Sequence, residues 1–297
     1  MAKIGFIGLG NMGAPMAGNL AKKGHQVRGF DLIQDNLDAA GKRGVEAADS
    51  AADAVRDAEL VVTMLPAGKD TVAVYEKAGV LQAAGKGTVF IDCSTIDVAS
   101  ARRAHDLAKA AGMLSLDAPV SGGVGGAEAA TLTFMAGGSK DAFAKAKPVL
   151  EAMGKRVVAC GEPGAGQAAK ICNNMILGIS MIGVAEAFVL AEKLGLSHQA
   201  LFDVASTSSG QCWSLTTYCP VPGPVPGSPA NSSYKPGFAS ALMLKDLKLA
   251  QEAATAAGAT TPMGAMAAQV YGLHNAWGEG GTDFSGIIHL IRGKSGN

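Results

Sequence analysis

The segment at residues 4–7 is apolar and runs straight into a turn with glycine at Gly8, Gly10 and Gly13. That spacing is the dinucleotide-binding fingerprint. The first glycine permits a tight turn, the second lets backbone approach a pyrophosphate, and the third lets the next helix pack on the strand. The N–H groups and dipole at the helix start then attract the diphosphate. Asn11 and Met12 lie inside the same turn, and small and apolar residues follow at helical spacing as far as Leu20, with Pro15 in the first turn, where its missing N–H costs little. A second apolar segment at 26–30 ends at Asp31. Strand, glycine turn, helix, strand and acid together make a βαβ unit. Asp31 stands where a carboxylate would bond the adenosine ribose hydroxyls, which favours NAD over its phosphorylated counterpart. A purely structural carboxylate, capping a strand–loop junction, is the competing reading of Asp31.

At 297 residues the chain is long enough for two domains with full cores. The 25 basic and 25 acidic side chains balance, and no basic run suggests a nucleic-acid partner or an anionic membrane. Charged residues are only 17% of the chain and apolar ones 48%, which suggests surface buried between domains or subunits, as in a homodimer or homotetramer. The five cysteines are odd in number and lack metal or redox spacing. With no secretion signal read at the N-terminus, they point to a reducing compartment, the cytoplasm. The longest apolar run, 175–185, reads as too short to cross a bilayer on its own. The five histidines form no metal-ligand spacing, so no metal is expected.

Strand-like segments at 60–65, 88–95, 113–120, 131–136 and 156–160 alternate with helical ones. This pattern predicts an α/β domain of Rossmann type, an open sheet with helices on both faces, over residues 1–163. From 165 to 194 the composition is helical with hardly a charge on any face, as expected of a long interdomain helix buried on most sides. Helical segments at 198–206, 240–257 and 262–277 follow, so residues 164–297 read as an all-α domain. Six prolines lie between 219 and 236, marking either a stiff surface loop or a loop over the active site.

Three segments offer chemistry. At Ser121, Gly122 and Gly123 a strand opens into a glycine turn, where a hydroxyl and backbone N–H groups can grip a carboxylate; a turn that needs glycine only for positive φ is the alternative. Lys170 and Asn174 are four apart and share a helix face. Lys170 is set among Ala168, Ala169, Ile171 and Cys172, and a lysine buried in such surroundings suits proton exchange near neutrality. Lys245 and Asp246 read, by themselves, as a solvated helix face.

Taken in order, the motifs at 8–20, 117–123, 161–174 and 245–250 resemble the β-hydroxyacid dehydrogenases, and within them the 3-hydroxyisobutyrate dehydrogenase branch. The stretch at 212–218, the proline-rich segment and residues 283–285 are similar to that branch in particular. The resemblance implies NAD-dependent, reversible oxidation of a small 3-hydroxy carboxylic acid, with 3-hydroxyisobutyrate giving methylmalonate semialdehyde, as in valine breakdown. It implies Lys170 as the general acid–base and Asn174 as orienting the substrate. Ser121, Gly122 and Gly123 would grip the carboxylate, with Trp213 and Tyr218 as pocket walls. Leu65, Pro66 and Thr95 would line the ribose and nicotinamide path. Lys245 would reach cofactor and substrate, supported by Asp246. Relatives acting on L-serine, tartronate semialdehyde or succinate semialdehyde share these motifs. A non-catalytic NAD-sensing module is the reading from a different class.

Overall fold

Short β-branched and aromatic runs build one sheet in the first half of the chain: β1 (Lys3–Ile7), β2 (Gln26–Phe30), β3 (Glu46–Ala47), β4 (Leu60–Thr63), β5 (Val89–Asp92), β6 (Leu114–Asp117), β7 (Val120–Ser121), β8 (Leu132–Gly138) and β9 (Gly154–Gly161). The computed structural model describes residues 1–293. Along the sheet the order begins β3-β2-β1-β4-β5-β6, with every neighbour parallel. The chain winds outward from β1 in one direction and then returns to lay β4 on its other side. Ligands in open α/β sheets bind outside the carboxyl ends of strands at such a reversal.

Beyond β6 the pattern changes. β8 pairs antiparallel with β6 through Leu116↔Gly138 and Asp117↔Gly137, and with β7 through Val120↔Phe134 and Ser121↔Thr133. The register is continuous across Ala118 and Pro119, and Met135 N–H donates to the Pro119 carbonyl. Proline has no N–H to give, so what reads as one strand at 113–120 is interrupted at Pro119 without losing its line.

The strands alternate between two apolar layers, as a pleated sheet covered on both faces requires. Val62 and Ile91 belong to one cluster, with Met16, Leu20 and Leu150; Val61 and Phe90 belong to the other, with Tyr75 and Ala104. The chain folds into two compact units, Met1–Lys170 and the residues from Ile171 onward. The long helix Ala165–Lys193 begins in the first and continues into the second.

The second unit is all-helical, with Ser240–Ala257 and Pro262–Ala276 as its longer later helices. Its core gathers Met181, Phe188, Leu247, Tyr271, Phe284 and Ile287. Gly178 sits where a Cβ would come 3.1 Å from the Leu247 side chain, so the long helix packs closely there. The whole of Ala165–Lys193, and not the 175–185 run alone, sets the apolar length, and by length and composition it is enough to cross a membrane. Met181, Ala185 and Phe188 on this helix are nonetheless fully buried among side chains of the second unit.

The proline-rich stretch is tied to itself. Ser228 Oγ donates to the Cys219 carbonyl at 2.5 Å, and the Tyr234 hydroxyl to the Pro220 carbonyl at 2.8 Å. Asn231 accepts from Gly223 N–H and donates to the Val225 carbonyl. These bonds hold it as a stiff loop of the self-packed kind.

Candidate active site

The glycine turn lies at the carboxyl end of β1. Gly8 has φ +92°, and a Cβ there would stand 2.3 Å from the Met64 carbonyl oxygen at the end of β4. At Gly13 a Cβ would stand 1.9 Å from the Gly8 oxygen, so only glycine lets the helix Gly13–Lys22 start this close to the strand. Gly10 differs, because among the described residues nothing beyond its own chain neighbours lies within 4 Å of a Cβ built on it. The fold itself places no demand for glycine there, whereas close approach of a pyrophosphate to backbone does. The turn therefore fits a dinucleotide. Asp31 follows β2 directly; its Oδ2 accepts from Leu9 N–H at 2.7 Å and its Oδ1 from Ile33 N–H at 2.9 Å. The carboxylate does fasten the strand–loop junction, and it fastens it to the glycine turn. An ionised carboxylate accepts about four hydrogen bonds, so this structural work leaves capacity for ribose hydroxyls. The residues after it, Leu32 and Ile33, are exposed and apolar.

The next two strand ends meet at Asp92, a residue that no motif in the sequence marks. Its Oδ1 accepts from Thr63 Oγ1 at 2.7 Å and Ser94 Oγ at 2.6 Å, while Oδ2 is buried with no hydrogen-bond partner among the described residues. Burial raises this carboxyl to about 6, against the opposing bonds from Ser94 and Thr63 and with a smaller contribution from the Asp117 charge. Ser94 Oγ in turn accepts from Leu65 N–H at 2.8 Å. The segments carrying Leu65, Pro66 and Thr95 are thus bonded together behind the positions expected to face the cofactor.

Ser121 ends β7 and is half-buried. Gly122 and Gly123 have φ +133° and +61°, so both glycines answer a conformational need, and Gly123 opens the six-residue helix Gly123–Glu128. Asn19 of the first helix donates to the Ala127 carbonyl at 2.6 Å, which joins this turn to the helix of the glycine fingerprint.

The start of the long helix is clamped by Asp117, the last residue of β6. Asp117 Oδ1 accepts from Gly164 N–H at 2.8 Å and Oδ2 from Gln167 N–H at 2.9 Å. His105 Nε2 lies 2.9 Å from Oδ1, and its Nδ1 meets Ser115 Oγ. A buried aspartate at a helix start satisfies donors that have no partner in the helix. At Gly166 the helix approaches strand backbone closely: a Cβ there would stand 2.2 Å from the Met135 oxygen and 2.5 Å from the Asp117 oxygen. Lys170, one turn further, is only 6% exposed and is the last residue of the first unit.

The remaining candidates belong to the second unit. Asn174 Nδ2 donates to Asp246 Oδ2 at 2.5 Å, and both residues are buried. Asp246 thus orients the Asn174 amide, a link that the solvated-face reading of residues 245 and 246 does not anticipate. Lys245 beside it is half-buried. Trp213 is stacked on Tyr218 at 4.8 Å, and Tyr218 on Phe284 at 5.2 Å. The Tyr218 hydroxyl donates to Asp283 Oδ2 at 2.9 Å. Burial, and then the Asp283 carboxylate, push that phenol far above the ordinary tyrosine range, so the Tyr218 hydroxyl is a neutral donor.

Comparison with known proteins agrees with the fold. Residues 3–161 match the family described as the NAD binding domain of 6-phosphogluconate dehydrogenase. Residues 164–291 match the one described as NAD-binding of NADP-dependent 3-hydroxyisobutyrate dehydrogenase. A protein of Mycobacterium tuberculosis named probable 3-hydroxyisobutyrate dehydrogenase is 54% identical, with 99% of each chain covered. One of Pseudomonas aeruginosa named NAD-dependent L-serine dehydrogenase is 47% identical, with 98% of each covered. The solved structure of the Mycobacterium tuberculosis 3-hydroxyisobutyrate dehydrogenase with L-serine superposes with a TM-score of 0.95, covering 99% of this chain and 100% of that one. With the glycine turn, the parallel sheet and the helical second unit in the same order, the chain belongs to the 3-hydroxyisobutyrate dehydrogenase family of nicotinamide-dependent hydroxyacid dehydrogenases.

Proposed function

We propose that this chain oxidises 3-hydroxyisobutyrate reversibly to methylmalonate semialdehyde, with NAD as cofactor and Lys170 as general acid–base. The observation that carries the reading is a lysine, 6% exposed, one turn into a helix whose start is clamped to the dinucleotide-binding sheet. Bound NAD supplies the hydride acceptor. Lys170 Nζ, in its neutral form, takes the proton from the carbinol hydroxyl in oxidation and returns it in reduction. Ser121 Oγ and the N–H groups of Gly122 and Gly123 hold the carboxylate. A hydroxyl β to that group is then carried to a fixed place. Asn174, held by Asp246, orients the substrate, Lys245 reaches cofactor and substrate, and Trp213 and Tyr218 wall the pocket. Leu65, Pro66 and Thr95 line the ribose and nicotinamide path.

NAD is preferred to NADP on this reading because Asp31 is followed by Leu32 and Ile33 rather than by an arginine that would meet a 2′-phosphate. L-Serine is the second substrate reading. It differs from 3-hydroxyisobutyrate by an ammonium in place of a methyl group, and it appears in the names of both a relative and a solved structure. Exposed Ile176, Leu190, Leu194, Met263, Met266 and Trp277 in the second unit support a homodimer or homotetramer. Five cysteines without a disulfide fit the cytoplasm, and valine breakdown is the role this activity would serve.

Steady-state kinetics with 3-hydroxyisobutyrate, L-serine, glycerate and 4-hydroxybutyrate, each with both cofactors, test the assignment. We expect 3-hydroxyisobutyrate with NAD to give the highest kcat/KM, and Lys170→Ala to lose about 10²-fold or more in kcat while binding NAD. Near-normal kcat in Lys170→Ala overturns the acid–base role, and equal kcat/KM with NADP overturns the cofactor choice. Bound NAD without turnover of any hydroxy acid would instead favour a sensing module.

A further inference from the structure

Gln167 is a polar side chain with no exposure at all, in the first turn of the long helix. Its amide grips backbone from another element. Oε1 accepts from Ile96 N–H at 3.1 Å, and Nε2 donates to the Ser94 carbonyl at 2.7 Å. These two groups flank Thr95, so the amide pairs with the chain on either side of that residue much as a neighbouring strand would. Gln167 is fixed in turn by its own N–H on Asp117. Ser94 is fixed from the other side, through its hydroxyl on Asp92 and its acceptance of Leu65 N–H. Every bond in the chain from Leu65 to Asp117 is 3.1 Å or shorter. Lys170 lies three residues after Gln167 on the same helix, close to one turn.

We propose that Gln167 is a positioning residue for hydride transfer: it sets Thr95, and with it Leu65, in register with the helical turn that carries Lys170. The proposal rests on the acid–base reading of Lys170. Its physical content is that one side-chain amide couples the wall of the nicotinamide path to the proton-transfer residue, so both move together or not at all. Reactions between held partners are steep in distance; a misplacement near 1 Å costs about 10²-fold in rate. A merely structural glutamine would satisfy two buried backbone groups, and losing it would lower stability without altering the chemical step of the molecules that fold.

The test uses Gln167→Met, which keeps length and loses both bonds, and Gln167→Glu, which still accepts from Ile96 N–H but, when ionised, cannot donate to the Ser94 carbonyl. Circular dichroism establishes folding, NAD affinity is measured by calorimetry, and kcat is measured with protiated substrate and with substrate deuterated at the carbinol carbon. We expect folded variants that bind NAD within about 3-fold of the parent, with kcat down by roughly 10²-fold in Gln167→Met and less in Gln167→Glu. The deuterium isotope effect on kcat should rise in both, because the chemical step becomes limiting. A folded variant with kcat within about twofold of the parent overturns the proposal, as does a lower kcat with an unchanged isotope effect. Failure of both variants to fold also overturns it, since the glutamine is then structural. Lys170→Ala measured alongside separates the two readings. A dead Lys170→Ala beside active Gln167 variants removes only the positioning role, whereas an active Lys170→Ala, or a parent that turns over no hydroxy acid, removes both.

Discussion

Asp92 and Asp283 are both buried carboxyls at the hub of a hydrogen-bond cluster, one in each unit, and they are built differently. Asp283 has both oxygens occupied: Oδ2 accepts from the Tyr218 hydroxyl and from Gly237 and Phe238 N–H, while Oδ1 accepts from the N–H and hydroxyl of Ser285. Asp92 concentrates its bonds on Oδ1 and leaves Oδ2 buried without a partner among the described residues. The first arrangement gives each carboxylate oxygen at least two donors. The second leaves burial dominant and the carboxyl raised to about 6. A saturated hub fastens a loop; a half-saturated one also makes its surroundings sensitive to pH.

The largest effect that would break this contrast is expected in the second unit. Asp283→Ala strands donors from residues 218, 237, 238 and 285 and should cost on the order of 3–5 kcal/mol in chemical unfolding. Limited proteolysis should then cut within 219–236, and a variant as stable and as resistant as the parent would show that the aspartate is not the anchor. The Asp92 effect is smaller and has a definite sign. Its folded value of about 6 exceeds the value in an unfolded chain, so its contribution to stability is greatest at low pH and is lost as pH rises through 6. The parent should therefore give up about 2 kcal/mol more than Asp92→Asn between pH 4 and pH 7. Parallel urea titrations across that window, identical in the two proteins, would remove Asp92 as the sensitive group. Smallest is Tyr218→Phe, which deletes one of three bonds to Asp283 Oδ2 and keeps the aromatic stack. It should cost about 1 kcal/mol in the same titration, and a loss comparable to that of Asp283→Ala would place the anchor in the tyrosine.

What the sequence makes legible is what is local. Gly8 and Gly13 declare themselves by spacing, and the structure gives each a backbone oxygen that excludes any side chain. Asp31, the alternation of strands and helices, and the long apolar helix are local signals of the same kind. Gln167 is not local: its partners lie 71 and 73 positions away, and in the sequence it is one polar residue at the edge of an apolar run. Asp283 depends in the same way on partners 45 to 65 positions off. The tie between Asn174 and Asp246 spans 72 positions, which is why Asp246 reads as solvated until the helices are in place. The continuous register of β6 and β7 along β8 hides behind Pro119, because a missing N–H looks in sequence like the end of a strand.

The placement of the two tryptophans has an optical consequence. Both Trp213 and Trp277 belong to the second unit, and the chain has no others. Emission excited at the indole band therefore reports on the helical unit alone, from two indoles that are both about half open to solvent, Trp213 being the one stacked on Tyr218. The sheet of the dinucleotide-binding unit is spectroscopically dark at that wavelength. An unfolding curve followed by tryptophan emission records one unit of the protein, and a second curve followed by backbone ellipticity is needed to see whether the other lets go at the same denaturant concentration.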